Sequence, residues 1–128
     1  MNKKPRPTEI KLHKQSRVLE IAFDDGKRFE LPCEYLRVFS PSAEVQGHGP
    51  GQEKLQTGKK YVNIEEIRPM GNYAVNLVFD DGHESGIYSW EVLYDLGVNQ
   101  EENWQDYLIK LERAGESREP AGATGKPH

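Results

Sequence analysis

The side chains in this sequence that could bind a metal or act as a nucleophile are few and far apart. Four histidines and one cysteine are present among 128 residues. His83 follows an Asp-Asp-Gly turn, whereas His48 lies between two glycines in a long loop. A zinc site needs about four nitrogen or sulfur ligands close together in space. Spacing alone does not bring His83, His48 and Cys33 together, so the residues favour a surface or hydrogen-bonded polar role for His83 over a metal site.

Cys33 and two aspartate pairs could likewise have either a chemical or a structural role. Cys33 would be a nucleophile if a helix N-terminus lowered its pKa, but a free cysteine is most often a small buried apolar residue. The pairs Asp24-Asp25 and Asp80-Asp81 each precede a glycine. Aspartate favours turns because its carboxylate bonds nearby backbone groups, and adjacent turn residues point in different directions. The sequence therefore predicts a turn role for both pairs, rather than acid–base or metal chemistry.

The segments that position these residues form an internal sequence repeat. Residues 18–26 read Val-Leu-Glu-Ile-Ala-Phe-Asp-Asp-Gly, and residues 74–82 read Ala-Val-Asn-Leu-Val-Phe-Asp-Asp-Gly. Alternating apolar residues around each Asp-Asp-Gly predict a strand, a tight turn and a returning strand, followed by a short helix. We predict an α+β fold in which two pseudo-repeated strand–turn–strand–helix units form small, mostly antiparallel sheets with one shared core.

The remaining pattern adds details to this fold. A change of parity in the strand at residues 61–68 predicts a β-bulge near Glu65-Glu66. Ser89 is a good N-cap for the second short helix, Gly97 is expected to end it, and Asn99 is expected to cap the last helix. That C-terminal helix is amphipathic, with the apolar stripe Trp104, Tyr107, Leu108 and Leu111.

Residues 40–60 form the longest segment without periodicity, and their glycines and prolines argue against a helix or strand there. A loop of this length is usually functional or disordered. Its glycines match neither the phosphate-binding nor the dinucleotide-binding spacing. The sequence therefore offers no nucleotide site in this loop.

Length and charge define the domain and its class. We expect a flexible segment at residues 1–7, one domain at residues 8–113 and a disordered tail at residues 114–128. The net charge of −4 argues against a nucleic-acid binder. The sequence has no apolar run long enough for a membrane span or signal peptide, and its single cysteine excludes an internal disulfide, so a cytoplasmic location is the default.

The second half of the chain is rich in aromatic residues. Most of them should lie in the core, but Tyr88, Trp90 and Tyr94 are candidates for a protein interface, where tyrosine and tryptophan are enriched.

Three motifs then identify a family resemblance. They are residues 36–45 (Leu-Arg-Val-Phe-Ser-Pro-Ser-Ala-Glu-Val), residues 79–83 (Phe-Asp-Asp-Gly-His) and residues 88–90 (Tyr-Ser-Trp). From about residue 8 to residue 97, the chain resembles the small domain at the N-terminus of gamma-butyrobetaine hydroxylases, which also occurs alone in bacteria as a domain of unknown function.

The resemblance implies a zinc site that this sequence has largely lost. In the hydroxylases the domain carries three cysteines and a histidine, and these positions match Ser40, Ser42, Val45 and His83 here. Hydroxyl groups and a valine do not replace thiolates around zinc, so zinc or iron would bind only in a weaker site. The hydroxylase reaction needs a separate barrel domain, so oxygenase activity is not implied. A similar segment is appended to P-loop ATPases that carry iron–sulfur clusters, which implies an accessory role near metal-cofactor metabolism.

Three hypotheses follow. The first is a non-catalytic accessory module that binds an as yet unknown protein partner. The second is a metal-binding domain centred on His83 and His48. The third, a small enzyme with His83 and an aspartate as acid and base, is weakest, because no set of nucleophile, base and orienting group can be identified.

Overall fold

Two three-stranded antiparallel sheets and a set of helices make up the structure, a computed structural model that describes residues 4–120. The first sheet has the order β1-β2-β3 and the second the order β4-β5-β6. The strands are β1 Pro7–His13, β2 Val18–Phe23, β3 Arg28–Pro32, β4 Ile64–Met70, β5 Ala74–Phe79 and β6 Ile87–Ser89. The helices are α1 Cys33–Val38, α2 Ala43–Gln46, α3 Trp90–Val98 and α4 Gln100–Ala114. The predicted α+β class, with two small sheets and a C-terminal helix, is confirmed.

Each sheet contains a hairpin built on an Asp-Asp-Gly turn. Gly26 and Gly82 both have a φ of 91°, a left-handed conformation that glycine adopts at little cost. The second aspartate of each turn accepts a hydrogen bond from the backbone N–H two residues later, from Lys27 to Asp25 and from His83 to Asp81. These bonds are the turn-stabilising role predicted for the aspartates.

The first strand of each sheet contains a β-bulge at the same place. In the second sheet the pairing register shifts between Ile64 and Glu66, as the change of parity predicted. In the first sheet it shifts between Pro7 and Glu9. Each bulge lies opposite the end of the strand that leads into the Asp-Asp-Gly turn.

The returning strand of the second sheet is shorter than predicted. β6 begins only at Ile87, and residues 83–86 have no regular structure. Asn76 explains the difference, because its side-chain amide donates to the carbonyls of Glu84 and Gly86, both at 2.8 Å. These bonds satisfy backbone groups that a strand would otherwise pair.

The ends of the last two helices correct one prediction and modify another. Ser89 does cap α3, accepting a bond from the N–H of Val92. Gly97, however, lies inside α3, where a Cβ would come within 2.4 Å of the Phe29 ring. Asn99 occupies the N-cap position of α4 as predicted, but its side-chain amide donates to Asp95 O and makes no capping bond. Gly97 therefore serves close packing and not helix termination.

The long loop after α1 contains a short helix that was not predicted. This is the one-turn helix α2, which Ser42 caps by accepting from the N–H of Glu44. Lys54 N then donates to Val45 O, and Tyr107 of α4 donates its hydroxyl to Gln56 O at 2.7 Å. The contact with α4 could not be predicted from a local pattern, because Gln56 and Tyr107 are distant in sequence.

A single main core joins the two sheets. Buried side chains from both sheets form one cluster, including Ile21 of β2 and Leu77 of β5. A smaller cluster holds Tyr107 and Leu111 of α4 against Val38 of α1. The apolar stripe predicted for the C-terminal helix thus faces the core.

The C-terminal strap, defined here as residues 116–120, folds back along the loop that precedes β4. Ser117 O accepts from Gly58 N, and Arg118 O accepts from Lys60 N, both at 3.0 Å. The Arg118 guanidinium makes two bonds, of 2.7 and 2.8 Å, to the buried carboxylate of Glu34 and lies 5.3 Å from the Trp104 ring centroid. The predicted tail at residues 114–128 therefore includes residues with specific contacts, while its last eight residues, like residues 1–3, lie outside the described part of the chain.

Among residues 4–120, no helix is both long enough and apolar enough to cross a membrane.

Candidate functional site

His83 is placed by the second Asp-Asp-Gly turn beneath the segment that follows α1. Its backbone carbonyl accepts from Phe79 N at 2.9 Å, which closes the hairpin. The same position in the first hairpin is Lys27, an exposed residue. His83 is only 6% exposed, because Ser40 and Glu44 cover its ring. The two hairpins therefore share a turn but differ in what they contact.

Both ring nitrogens of His83 have hydrogen-bond partners. Nε2 lies 2.9 Å from the Ser40 hydroxyl, and Nδ1 lies 3.1 Å from a Glu44 carboxylate oxygen. Burial and the nearby positive charge of Arg37 lower the pKa of His83 below its ordinary value, although Glu44 and Asp81 act in the opposite direction. A neutral ring that donates from Nδ1 to Glu44 and accepts at Nε2 from Ser40 satisfies every partner.

The network continues through two more hydroxyl groups. Ser85 donates to Glu44 at 2.8 Å and lies 2.7 Å from the Ser42 hydroxyl. Gln46 donates its side-chain amide to Ser40 O at 2.8 Å. These bonds attach α2 and its flanking residues to the turn between β5 and β6. Together with His83 they define the His83 network.

An ion cluster borders the His83 network. Arg37 Nε and Lys59 Nζ both donate to Asp81 Oδ2, at 2.8 and 2.6 Å. Burial acts to raise the pKa of Asp81, but the bond from Lys59 and the charges of both cations outweigh it and lower that pKa. Arg37 also donates to Gln56, so the cluster ties the long loop to α1 and to the second turn.

The connectivity of Ser40, His83 and Glu44 is that of a serine–histidine–acid triad, but the hydroxyl is sealed. Ser40 is fully buried, and a Cβ at Gly86 would lie only 2.5 Å from its Oγ. A catalytic nucleophile must have room for a reacting atom within about 3 Å. This arrangement therefore holds segments of the fold together and leaves no space for a substrate.

The residues at the implied metal position do not fit zinc. The structure brings Ser40 and His83 into contact, and Ser42 donates its backbone N–H to Ser40 Oγ at 3.2 Å. Hydroxyl groups and the buried aliphatic Val45 are not zinc donors, and each nitrogen of His83 already has a partner. His48 is exposed, and no hydrogen bond among residues 4–120 joins it to His83. Within that described range, no group of three or more histidine, cysteine or acidic residues could hold a metal ion.

Cys33 is fully buried at the start of α1. Desolvation raises the pKa of its thiol to about 11. A thiol with so high a pKa stays protonated near neutral pH and is a poor nucleophile. Cys33 thus has the environment of the small buried apolar residue that the sequence favoured.

The predicted aromatic interface needs a correction. Tyr88 is fully buried and donates its hydroxyl to Leu36 O at 2.6 Å, so it has no surface to offer a partner. Tyr94 packs edge-on against Phe23, 5.0 Å between ring centroids, and donates its hydroxyl to Asp25 at 2.5 Å. Trp90 lines an open cleft.

Tyr73 is an exposed aromatic residue that was not among the predicted interface residues. It is 55% exposed at the turn before β5, and its carbonyl accepts from Trp90 N at 3.1 Å. Tyr73 has the same parity as Val75 and Leu77, so alternation alone would place it on their buried face. β5 begins only at Ala74, which leaves Tyr73 in the preceding turn. The pair lines a cleft of about 630 Å³, called here the aromatic cleft, whose walls are Lys4, Pro5, Arg6, Asp24, Asn72, Tyr73, Ser89, Trp90 and Glu91.

Comparisons with known proteins agree on the fold. Residues 10–94 match the model of the family described as gamma-butyrobetaine hydroxylase-like, N-terminal. A solution NMR structure that is 54% identical covers 100% of this chain and 96% of its own, with a TM-score of 0.80. A second NMR structure is 44% identical over 98% of both chains, with a TM-score of 0.81. A crystal structure of a protein of unknown function from Acidithiobacillus ferrooxidans, which belongs to the DUF971 family, is 40% identical over 72% of this chain and 92% of its own, with a TM-score of 0.61. No curated protein sequence matches.

Proposed function

The chain belongs to the gamma-butyrobetaine hydroxylase-like N-terminal family, and we propose that it is a non-catalytic accessory module that binds a protein partner through Tyr73 and Trp90. The observation that carries this proposal is an exposed tyrosine that lines an open cleft together with a tryptophan. The residues with the strongest potential for chemistry, His83, Ser40 and Cys33, are all buried.

The Trp90 ring and the backbone of Tyr73 are held in place before any partner arrives. Trp90 Nε1 donates to Asn72 O at 2.8 Å, and Trp90 N donates to Tyr73 O at 3.1 Å. A fixed aromatic ring loses little conformational entropy on binding and offers a large contact area. Tryptophan and tyrosine are also the residues that most often dominate binding energy at protein interfaces.

A photo-cross-linking experiment tests this surface. A photoreactive phenylalanine analogue would replace Tyr73 in the full chain, and in a matched control it would replace Tyr61, which is 50% exposed and lies elsewhere on the surface. We expect a defined cross-linked partner from position 73 in the native cell and none from position 61. Equal cross-linking from both positions would contradict the proposal.

The link to metal-cofactor metabolism remains a prediction from the family resemblance. It would gain support if the protein captured from position 73 took part in iron or iron–sulfur handling. A captured partner from an unrelated process would leave the interaction role intact and remove this finer assignment.

The alternative, a metal-binding domain centred on His83, also remains a prediction, although the donor set argues against it. Zinc and iron(II) would be titrated into the wild type and His83→Ala, with bound metal and thermal stability both measured. Stoichiometric binding that the substitution abolishes would favour the metal site. Metal-free protein with unchanged thermal stability would remove that alternative.

A further inference from the structure

The chain's own N-terminal segment forms one wall of the aromatic cleft. This segment, residues 4–7, reads Lys-Pro-Arg-Pro. Pro5 and Pro7 are partly buried, whereas Lys4 and Arg6 are exposed. The first three of these residues line the cleft together with Tyr73 and Trp90. An extended proline-containing segment therefore already lies against the aromatic pair.

The contacts of this segment involve both charge and hydrogen bonding. Arg6 NH2 donates to Asn72 O at 3.1 Å, the same carbonyl that accepts from Trp90 Nε1. Lys4 Nζ lies 2.5 Å from a carboxylate oxygen of Glu91. The backbone of Arg6 exchanges two bonds with Asp24, one with its side chain and one with its N–H. Lys4 thus faces a carboxylate, whereas Arg6 is held by the Asn72 carbonyl and by backbone bonds to Asp24.

The side-chain contacts are easily exchanged. The side chains of Lys4 and Glu91 are 70% and 61% exposed, and an ion pair in water contributes little to stability. A cleft of about 630 Å³ remains open beside the segment. A second segment of the same chemistry can therefore take the side-chain contacts of Lys4 and Arg6 while the backbone bonds between Arg6 and Asp24 stay in place.

We infer that the aromatic cleft recognises an extended, basic, proline-containing segment of a partner protein, and that residues 4–7 occupy part of it within the same chain. Proline fits because its fixed φ pre-organises an extended chain and because flat aromatic side chains form grooves for such chains. The carboxylate of Glu91 selects a basic residue beside the proline. The Asn72 carbonyl accepts from a guanidinium, and the Asp24 carboxylate accepts from the backbone of the segment. This inference rests on the proposed function and specifies the partner's chemistry.

Two tryptophans make the test specific, because the full chain has an indole N–H at Trp90 in the cleft and another at Trp104, away from it. A capped peptide containing two copies of Lys-Pro-Arg-Pro would be titrated while both indole signals are followed by NMR. We expect a saturable shift of the Trp90 signal and an unchanged Trp104 signal. A peptide with Lys-Ala-Arg-Ala keeps the charge but loses the proline, and should shift the Trp90 signal much less.

Competition within the chain gives the second measurement. In Lys4→Ala/Pro5→Gly the internal segment loses its ion pair and its proline, so the probe peptide should bind more tightly. If the internal segment occupies the cleft about nine-tenths of the time, its removal should raise the apparent affinity for the probe peptide about tenfold. Tyr73→Ala should weaken binding, whereas Tyr61→Ala should not.

Three results would overturn the inference. The first is that the probe peptide shifts the Trp90 signal in neither the wild type nor the Lys4→Ala/Pro5→Gly variant. The second is that the alanine peptide shifts this signal as much as the proline peptide does, and the third is that the Tyr73→Ala and Tyr61→Ala variants bind the probe peptide equally well. A partner captured only from position 73 would, in each case, leave the proposed interaction role standing. Failure of both experiments would remove the role and the inference together.

Discussion

His83 and Lys27 occupy the same position after the same turn, and their surroundings decide what each residue does. Lys27 extends into solvent, whereas His83 is enclosed by Ser40 and Glu44. The local sequence specifies the turn in both copies. In the second copy, contacts with the distant segment around residue 40 connect the turn to another part of the chain.

The state of His83 should make stability depend on pH. The folded protein holds its pKa below the ordinary value of 6.5, mainly through burial, so the unfolded chain binds a proton more readily. Stability is then fully present above about pH 6.5 and is lost as the pH falls through the depressed pKa. We expect wild type to lose more stability than His83→Gln between about pH 7.5 and about pH 5.5, measured by urea unfolding.

The control for this prediction is His48→Gln, which changes an exposed histidine and should keep the wild-type pH dependence. Protonation of carboxylates such as Asp81 also destabilises the folded protein in acid. Because the pKa of Asp81 is lowered, that loss of stability falls below this pH window. Equal pH dependence in wild type and His83→Gln would contradict the buried neutral imidazole.

Gly86 should be intolerant of a side chain because it covers the Ser40 hydroxyl. A Cβ at this position would lie 2.5 Å from Ser40 Oγ and 3.0 Å from a ring carbon of Tyr88. Gly86→Ala is expected to lower the free energy of unfolding by about 1–3 kcal/mol, the usual cost of overpacking. Chemical denaturation measures this change in the free energy of unfolding. Gly49→Ala is the control, since a Cβ at Gly49 meets no atom within 4 Å. Equal stability of the two variants would show that the cover over Ser40 is loose.

At the scale of elements, the hairpins and the bulge in β4 were predictable because their signals are local. Alternating apolar residues, an Asp-Asp-Gly turn and a change of parity all lie within a few residues of what they specify. β6 and α2 were missed in part because distant groups decide them. Asn76 holds residues 84–86 out of the sheet, and contacts with α4 order the loop after α2.

The site was predictable to a similar degree. The sequence pointed to His83 and Ser40, which do meet, and to Trp90, which does line a cleft. It named Tyr88 instead of Tyr73, because Tyr73 shares the parity of the buried Val75 and Leu77 and alternation does not show that β5 begins only at Ala74. Burial of Tyr88 depends on α1, whose Leu36 carbonyl accepts its hydroxyl.

The C-terminal strap should contribute measurably to stability through one ion pair. Arg118 pairs in two bonds with Glu34, a side chain that is 7% exposed, while the Arg118 side chain itself is 36% exposed. Removing one partner leaves a buried charge unpaired, which costs about 3–5 kcal/mol when both partners are buried. Because Arg118 is partly exposed, we expect Arg118→Ala to cost about 1–3 kcal/mol in thermal or chemical unfolding.

Arg113→Ala is the matched control, since Arg113 is an exposed arginine in the last turn of α4. The double variant Glu34→Gln/Arg118→Ala should lose less stability than the two single changes added together, because it leaves no buried charge. Additive losses would show that the strap does not neutralise Glu34.

For the whole molecule, two tyrosine hydroxyls join the halves across the shared core. Tyr35 of α1 donates to Leu96 O in α3 at 2.6 Å, and Tyr88 of β6 donates to Leu36 O in α1 at 2.6 Å. Each bond satisfies a buried hydroxyl with a carbonyl from the other half of the chain. Neither half can therefore separate without exposing apolar surface and breaking buried hydrogen bonds.

This coupling predicts that the two sheets unfold as one unit. Ile21 in β2 and Leu77 in β5 are both fully buried in the common cluster. Ile21→Ala and Leu77→Ala should each cost about 2–5 kcal/mol, the range for truncating buried aliphatic side chains. Amide hydrogen exchange followed by NMR would compare β2 and β5 in each variant, and either substitution should lower protection in both strands by the same free energy. If Ile21→Ala weakened only the first sheet, the two halves would be separately stable units, and the shared core would not explain the fold. The expected result instead makes the aromatic cleft, which draws walls from both halves, a surface that exists only when the whole domain is folded.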